Sequence, residues 1–348
     1  MDLSLTEDQV AIADVFGTFF AKEAGPAVAR HAEPLGFDRA LWDRLLETGA
    51  TGMGLPEAVG GGGAGVADLT VVAEHVGRSI APVPFVDHAV AGRLLAAVGA
   101  PSGLLDPVCE GSRIATVALR PPVDGALRVV PSGAVAGTVV ALDGEQLVAV
   151  AADAPGVALR NHGCAPLAHR RLDEGERVVL ASGPDAVAAY DAAVAEWQVL
   201  TAAALLGIAE AALAMGVEYV KAREQFGRPI GAFQAVQQGL ADLPGLIEGC
   251  RLLTGKAAWA ADRGTPGVVD PGWNEITDAA VLAGMAFVFA SDVADRATDR
   301  SLHFHGGYGY AEEYDIQLYY RRSRTWALVL DDPAAVCRRL ADRMFPEA

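Results

Sequence analysis

Residues 220–236 read VKAREQFGRPIGAFQAV. The residues on either side are long, apolar and helical in pattern. Between them, Arg223, Phe226, Gly227, Arg228 and Pro229 fall within a run of seven residues, 223–229. Gly and Pro end helices, so one helix stops here and another starts. Upstream, Asp185–Lys221 reads as a single helix. Downstream, helices are expected over Phe233–Asp262 with a kink at Pro244, over Trp273–His303, over Glu312–Arg324 and over Pro333–Arg343. Long Ala-rich helices joined by short loops predict an antiparallel bundle over residues 184–348.

The first 111 residues are also helical in texture. Thr6 with Gln9 three residues on predicts a capping box at the start of the first helix, with Leu5 and Val10 as a staple. Further helices are expected near Asp38–Thr48, Val66–Arg78 and Val86–Val98, with GLPEAVGGGGAG (54–65) as a loop. From 112 to 183 the texture changes. RIATVAL, ALRVVPS, AVAGTVVAL, QLVAVAA and RVVLAS are short Val-rich runs between Gly, Pro and Asp, which read as strands. The predicted fold is mainly α with a small central β domain: 1–111 helical, 112–183 β, 184–348 bundle.

Composition narrows the function. Of 348 residues, 52% are hydrophobic, so a sizeable core is available. A net charge of −17 argues against nucleic acid and anionic membrane surfaces as partners, since both require cationic patches. The cysteines at 109, 164, 250 and 337 show no ligand spacing, so no metal site is expected. The acidic N-terminus lacks the features of a signal peptide, and a cytoplasmic location is the expectation.

Two stretches carry the chemistry. In the first, Arg223 and Arg228 flank Phe226 and Gly227, with Gln234 beyond. Arginine pairs bidentately with phosphate, glycine permits close backbone approach, and an exposed aromatic stacks on a planar ring. An ordinary helix turn with solvated arginines is the plainer alternative. In the second, SLHFHGGYGYAEEYDIQLYYRRSR (301–324) places Gly306, Gly307 and Gly309 in an open-backbone loop after a long helix. Helix-end capping is the plainer role for His303 and His305.

REQFGRPIGAFQ and HFHGGYGYAEEYDIQLYYRRSR at this separation resemble the acyl-CoA dehydrogenase family. LTEDQ, the glycine-rich loop and the helix–β–helix order extend the resemblance over the whole chain. It implies a flavoprotein in which a carboxylate removes the α-proton of an acyl-CoA thioester and FAD takes the β-hydride. It also implies FAD shared across a subunit interface and an electron-accepting flavoprotein as partner. Position by position, it implies that Arg223, Gln225 and Phe226 contact the diphosphate side of a neighbour's FAD. Gln234 is then another cofactor-side residue, and Gly306 and Gly307 lie near the adenosine half. His303 stands where many relatives carry Gln.

Three departures qualify the resemblance. The Thr-Glu-Pro…Gly-Ser-Asp segment that lines the flavin ring in the family is here ALRPPVDGAL (118–127). Leu330 occupies the commonest position of the catalytic Glu, with Asp331 adjacent. Trp197 occupies the alternative position, with Glu196 about 100° round the helix. Glu196 and Asp331 are thus the candidate carboxylates, and surface or helix-end charge is the plainer role for each. This pattern resembles the base-lacking subunit of actinobacterial heteromeric acyl-CoA dehydrogenases, mixed tetramers that often take bulky substrates such as CoA thioesters of steroid side chains. Three functions stay open: a partner subunit completing another chain's FAD site, a self-sufficient flavin oxidoreductase with a relocated base, and a non-redox scaffold or thioester-binding homologue.

Overall fold

The computed structural model describes residues 2–264 and 276–345. Helices come first: α1 (Glu7–Glu23), α2 (Pro26–His31), α3 (Arg39–Glu47), α4 (Val66–Arg78), α5 (Phe85–Ala97) and α6 (Ser102–Cys109). The start of α1 is set locally. Thr6 Oγ1 accepts from Gln9 N at 3.2 Å and Gln9 Oε1 accepts from Thr6 N at 3.1 Å, the expected capping box. The start of α4 is set from far away, by Asp262, which accepts from Val66 N at 2.5 Å and Ala67 N at 2.9 Å. The short helices α2 and α6 carry too few turns to show a period and were not expected.

Six strands follow: β1 (Ala115–Val117), β2 (Ala126–Val130), β3 (Thr138–Asp143), β4 (Gln146–Ala151), β5 (Ala168–Arg171) and β6 (Glu176–Ser182). One sheet has the order β1-β3-β4-β6, parallel between β1 and β3 and antiparallel elsewhere; β2 pairs with β5. Strands β3 and β4 are buried on both faces, which explains their unbroken apolar runs. Strand β5 reads AHRR and was not expected. Its Arg170 is 1% exposed, an inward position normally apolar, and donates to the Gly133 and Ala136 carbonyls at 2.9 and 2.7 Å.

The last part holds α7 (Pro184–Ala222), a small hairpin of β7 (Glu224–Gln225) and β8 (Arg228–Pro229), then α8 (Gln234–Ala241), α9 (Leu243–Arg263), α10 (Ala279–His305), α11 (Ile316–Leu328) and α12 (Pro333–Met344). The helix expected from Phe233 to Asp262 is two. Pro244, lacking an N–H, sits in the first turn of α9 rather than inside one helix. The described part of α10 begins at Ala279, capped by Asp278; Trp273, its expected start, lies outside the described residues. The expected helix from Glu312 starts at Ile316, leaving Glu312 and Glu313 in the preceding turn.

Helix α7 is the axis of the molecule and packs on α4, α5, α9, α10 and α11. It meets α4 backbone to backbone. A Cβ on Gly77 would lie 1.8 Å from the Ala204 carbonyl oxygen, and one on Gly207 would lie 2.0 Å from that of Glu74. This crossing fixes the N-terminal helices against the bundle. The strands lie against the same axis, through contacts of β3, β4 and β6 with α7.

Candidate functional site

The break in the opening stretch is a two-residue β-hairpin. Gln225 pairs with Arg228, and Ile230 N donates to the Arg223 carbonyl at 2.7 Å. Phe226 and Gly227 have φ of +54° and +77°, the left-handed pair of a type I′ turn. The turn pushes Phe226 into solvent, where it is 92% exposed, with its edge toward Phe233 at 6.0 Å. Arg228 lies over the Phe233 ring at 4.3 Å, and Arg223 lies 5.7 Å from the centroid of Tyr308.

That contact joins the hairpin to GGYGY (306–310), a tight turn after α10. Gly306 has φ +63°, and a Cβ on Gly306 or Gly307 would meet nothing within 4 Å. Gln234 opens α8, which packs along the end of α10 through Gly239 against Phe304. Arg223, Gln225, Phe226, Gln234, His303, Gly306 and Gly307 are all exposed at this one end of the bundle. Tyr308 and Tyr310 are exposed beside them. The result is a surface with two arginines, exposed aromatic rings and open backbone, with Glu224 between the arginines in the hairpin.

The candidate carboxylates lie elsewhere. A cavity of about 90 Å³ sits between the start of α5, the turn after β2, α7 and α11; Trp197 and Val329 line it. Glu196 and Asp331 do not. Glu196 is held by Arg93, Nε to Oε2 at 2.8 Å and Nη2 to Oε1 at 3.2 Å, above a separate groove under the glycine-rich loop. Asp331 accepts from Arg339 Nη1 at 2.7 Å near the surface, and that hydrogen bond holds its carboxyl below the usual range. Leu330 is buried.

The carboxylate that faces the cavity is Asp87. It accepts from Trp197 Nε1 at 2.7 Å and from the Ser132 hydroxyl. Burial pushes its pKa up, against the opposing effect of those two hydrogen bonds. In sequence, Asp87 in PFVDHAV looks like an ordinary first-turn acid. No spacing ties it to Trp197, 110 positions on.

The seam between strands and bundle is closed. Arg120, from the segment 118–127, donates to the Leu330 and Val329 carbonyls at 2.9 and 3.1 Å. Tyr190 donates to the Ala118 carbonyl at 2.8 Å and Arg321 to that of His162 at 3.0 Å. A Cβ on Gly163 would lie 2.6 Å from Thr325 Oγ1. Sites for cofactor-sized ligands run to roughly 300–1,000 Å³. The residues in this chain's own seam therefore do not fit a flavin ring. The hairpin end, with its arginines and open glycines, does fit the diphosphate side of a dinucleotide.

Residues 6–102 match the acyl-CoA dehydrogenase N-terminal domain and residues 192–329 the acyl-CoA dehydrogenase C-terminal domain. The chain is 32% identical to acyl-CoA dehydrogenase IpdE2 of Mycobacterium tuberculosis, over 97% of this chain and 98% of that one. It belongs to the acyl-CoA dehydrogenase family.

Solved acyl-CoA dehydrogenase structures agree. The Tcur3481-Tcur3483 steroid ACAD G363A variant superposes with a TM-score of 0.83 at 31% identity, covering 98% of each chain. The ChsE4-ChsE5 complex from Mycobacterium tuberculosis gives 0.85 at 28%, covering all of both chains. The helical, sheet and bundle order expected from sequence is the acyl-CoA dehydrogenase fold, and the family's enzymes are oxidoreductases acting on CH–CH bonds.

Proposed function

We propose that this chain is the partner subunit of an FAD-dependent acyl-CoA dehydrogenase. It completes the FAD site of a second, catalytic chain that introduces the α,β double bond. The observation that carries this reading is the asymmetry between the two sites. The hairpin end is displayed to solvent, while the seam and both usual base positions are closed or apolar. An aromatic as exposed as Phe226 is an unusual cost for an isolated chain and suits an interface.

In the assembly, Arg223 and Arg228 supply charge to a diphosphate, and Gln225, Gln234 and His303 supply hydrogen bonds. Phe226 packs against the partner or the cofactor, and the Gly306–Gly307 backbone lies close to the nucleotide. FAD, when bound, supplies the hydride acceptor; the α-proton is taken by a carboxylate of the other chain. The likeness to the Tcur3481-Tcur3483 steroid ACAD and to the ChsE4-ChsE5 complex supports an unlike partner and a bulky acyl-CoA such as a steroid side-chain thioester. A similar structure of an electron transferring flavoprotein supports a flavoprotein as electron acceptor.

The test is the visible absorbance spectrum of the purified chain, alone and co-expressed with a relative that has an intact base. A colourless chain alone and a yellow, acyl-CoA-reducible complex are expected. A flavin-loaded, active homomer would overturn the proposal. A complex that keeps its flavin with Arg223→Ala would instead indicate a scaffold.

A further inference from the structure

Neither hairpin arginine is committed to an acid. Elsewhere on this acidic chain guanidinium groups sit on carboxylates, as Arg78 and Arg251 do on Glu210 and Arg321 does on Glu33. Among the described residues no hydrogen bond or ion pair, from Glu224 or any other group, reaches the side chain of Arg223 or Arg228. Each has an aromatic ring instead. Arg228 lies over Phe233 at 4.3 Å and Arg223 over Tyr308 at 5.7 Å, both within the roughly 6 Å at which a ring face holds a cation. The difference matters chemically. A carboxylate takes the in-plane N–H edge of a guanidinium, the same edge that grips a phosphate bidentately. A ring takes the flat face and leaves those N–H groups free. The rings are themselves fixed. Tyr308 stacks on Tyr314 with centroids 5.4 Å apart, Tyr314 meets His305 edge-on at 6.3 Å, and His305 stacks on Tyr219 at 4.0 Å. The Tyr219 carbonyl accepts from Arg223 N at 2.8 Å, so this run of rings joins the Arg223 side chain back to its own backbone. Phe233 is half-buried at the start of α8.

We propose that Phe233 and Tyr308 are positioning residues. Each holds one hairpin arginine by the face of its guanidinium, so that the N–H edge stands ready for the diphosphate. The inference rests on the partner-subunit reading and adds what aims its two cations. An exposed arginine gives up the freedom of a long side chain when it meets its anion. A ring that already holds the guanidinium removes part of that ordering cost before binding.

The test is the Kd of FAD for the co-expressed complex, from fluorescence titration of the flavin-stripped protein, in two double-mutant cycles. Tyr308→Leu and Phe233→Leu should each weaken binding by about two- to fivefold, the size of an exposed cation–π contact. Tyr308→Phe, which keeps the ring and loses only the hydroxyl, should match the wild type. On an Arg223→Ala background Tyr308→Leu should add no further loss, and Phe233→Leu should add none on Arg228→Ala. A ring that merely shaped the turn would weaken binding equally on both backgrounds. That equality, an unchanged Kd in both leucine variants, or a Tyr308→Phe loss as large as that of Tyr308→Leu would overturn the proposal. The partner-subunit reading would survive each of these as long as Arg223→Ala itself weakens binding. A complex whose affinity for FAD ignores Arg223→Ala would overturn that reading and the proposal with it.

Discussion

Replacing His88 should flatten the pH dependence of stability between pH 7 and pH 5. His88 follows Asp87 on α5, is 1% exposed, and sits edge-on to Trp42 with centroids 5.1 Å apart. Its Nδ1 accepts from Ala115 N at 3.2 Å, so the folded ring is neutral. Burial pushes its pKa from 6.5 down to about 4, and the backbone at Val108 offsets only part of that. Between those values the unfolded chain binds the proton and the folded chain does not. Stability therefore falls as pH falls below 6.5, and the loss is complete below about 4. At about 1.4 kcal/mol per pH unit, the full loss is about 3 kcal/mol, of which about 2 kcal/mol falls between pH 7 and 5. Asp87 works in the opposite sense, because a raised carboxyl pKa makes the folded state bind more protons above 3.8. The assay is therefore a comparison: urea unfolding of wild type and His88→Leu at pH 7, 6 and 5. The variant loses a constant amount for the unpaired Ala115 N–H, and the Asp87 contribution is common to both proteins. The wild type should lose about 2 kcal/mol more than the variant from pH 7 to 5. Parallel curves would refute the assignment of a neutral, buried His88.

Four other outcomes follow from the geometry. Phe226→Ala should leave the stability of the isolated chain within about 0.5 kcal/mol, because the ring is already in water, yet weaken assembly with a catalytic partner as read by size exclusion. Arg223→Ala should lower flavin retention in the complex by about tenfold or more, with Arg223→Lys intermediate, read from the flavin-to-protein absorbance ratio. Gly77→Ala should destabilise by about 3 kcal/mol in urea unfolding, since the new Cβ meets backbone 1.8 Å away rather than a side chain that can turn. Arg120→Ala should cost about 2 kcal/mol for two lost carbonyl contacts and should not confer flavin binding on the isolated chain, because Tyr190 and Gly163 still close the seam.

What the sequence revealed about this molecule and what it hid divide by the range of the forces involved. The capping box of α1 and the hairpin after α7 are written in residues within a few positions of one another. Thr6 and Gln9 bond each other, and a Phe-Gly pair at positive φ needs no distant partner. The bundle and central strands were legible for a related reason, since burying one face or both leaves a periodic or continuous apolar run. Strand β5 was not, because its inward Arg170 donates through Nη1 to carbonyls of a turn more than thirty positions earlier. The chemistry of the interior was hidden more deeply. Glu196 looked like a free acid beside a lost base until Arg93, 103 positions away, was seen to hold both its oxygens. Asp87 is not among the carboxylates that the sequence singles out, although Trp197 and Ser132 close on it in the fold. Both pairings were hidden for one reason: a carboxylate's role depends on which donors the fold brings to it, and that pairing leaves no period or spacing in the chain. The substitution of Trp for a carboxylate on α7 is the exception that could be noticed in sequence. An indole N–H in a buried, apolar place needs an acceptor, and an acid on a facing helix is the natural one to look for.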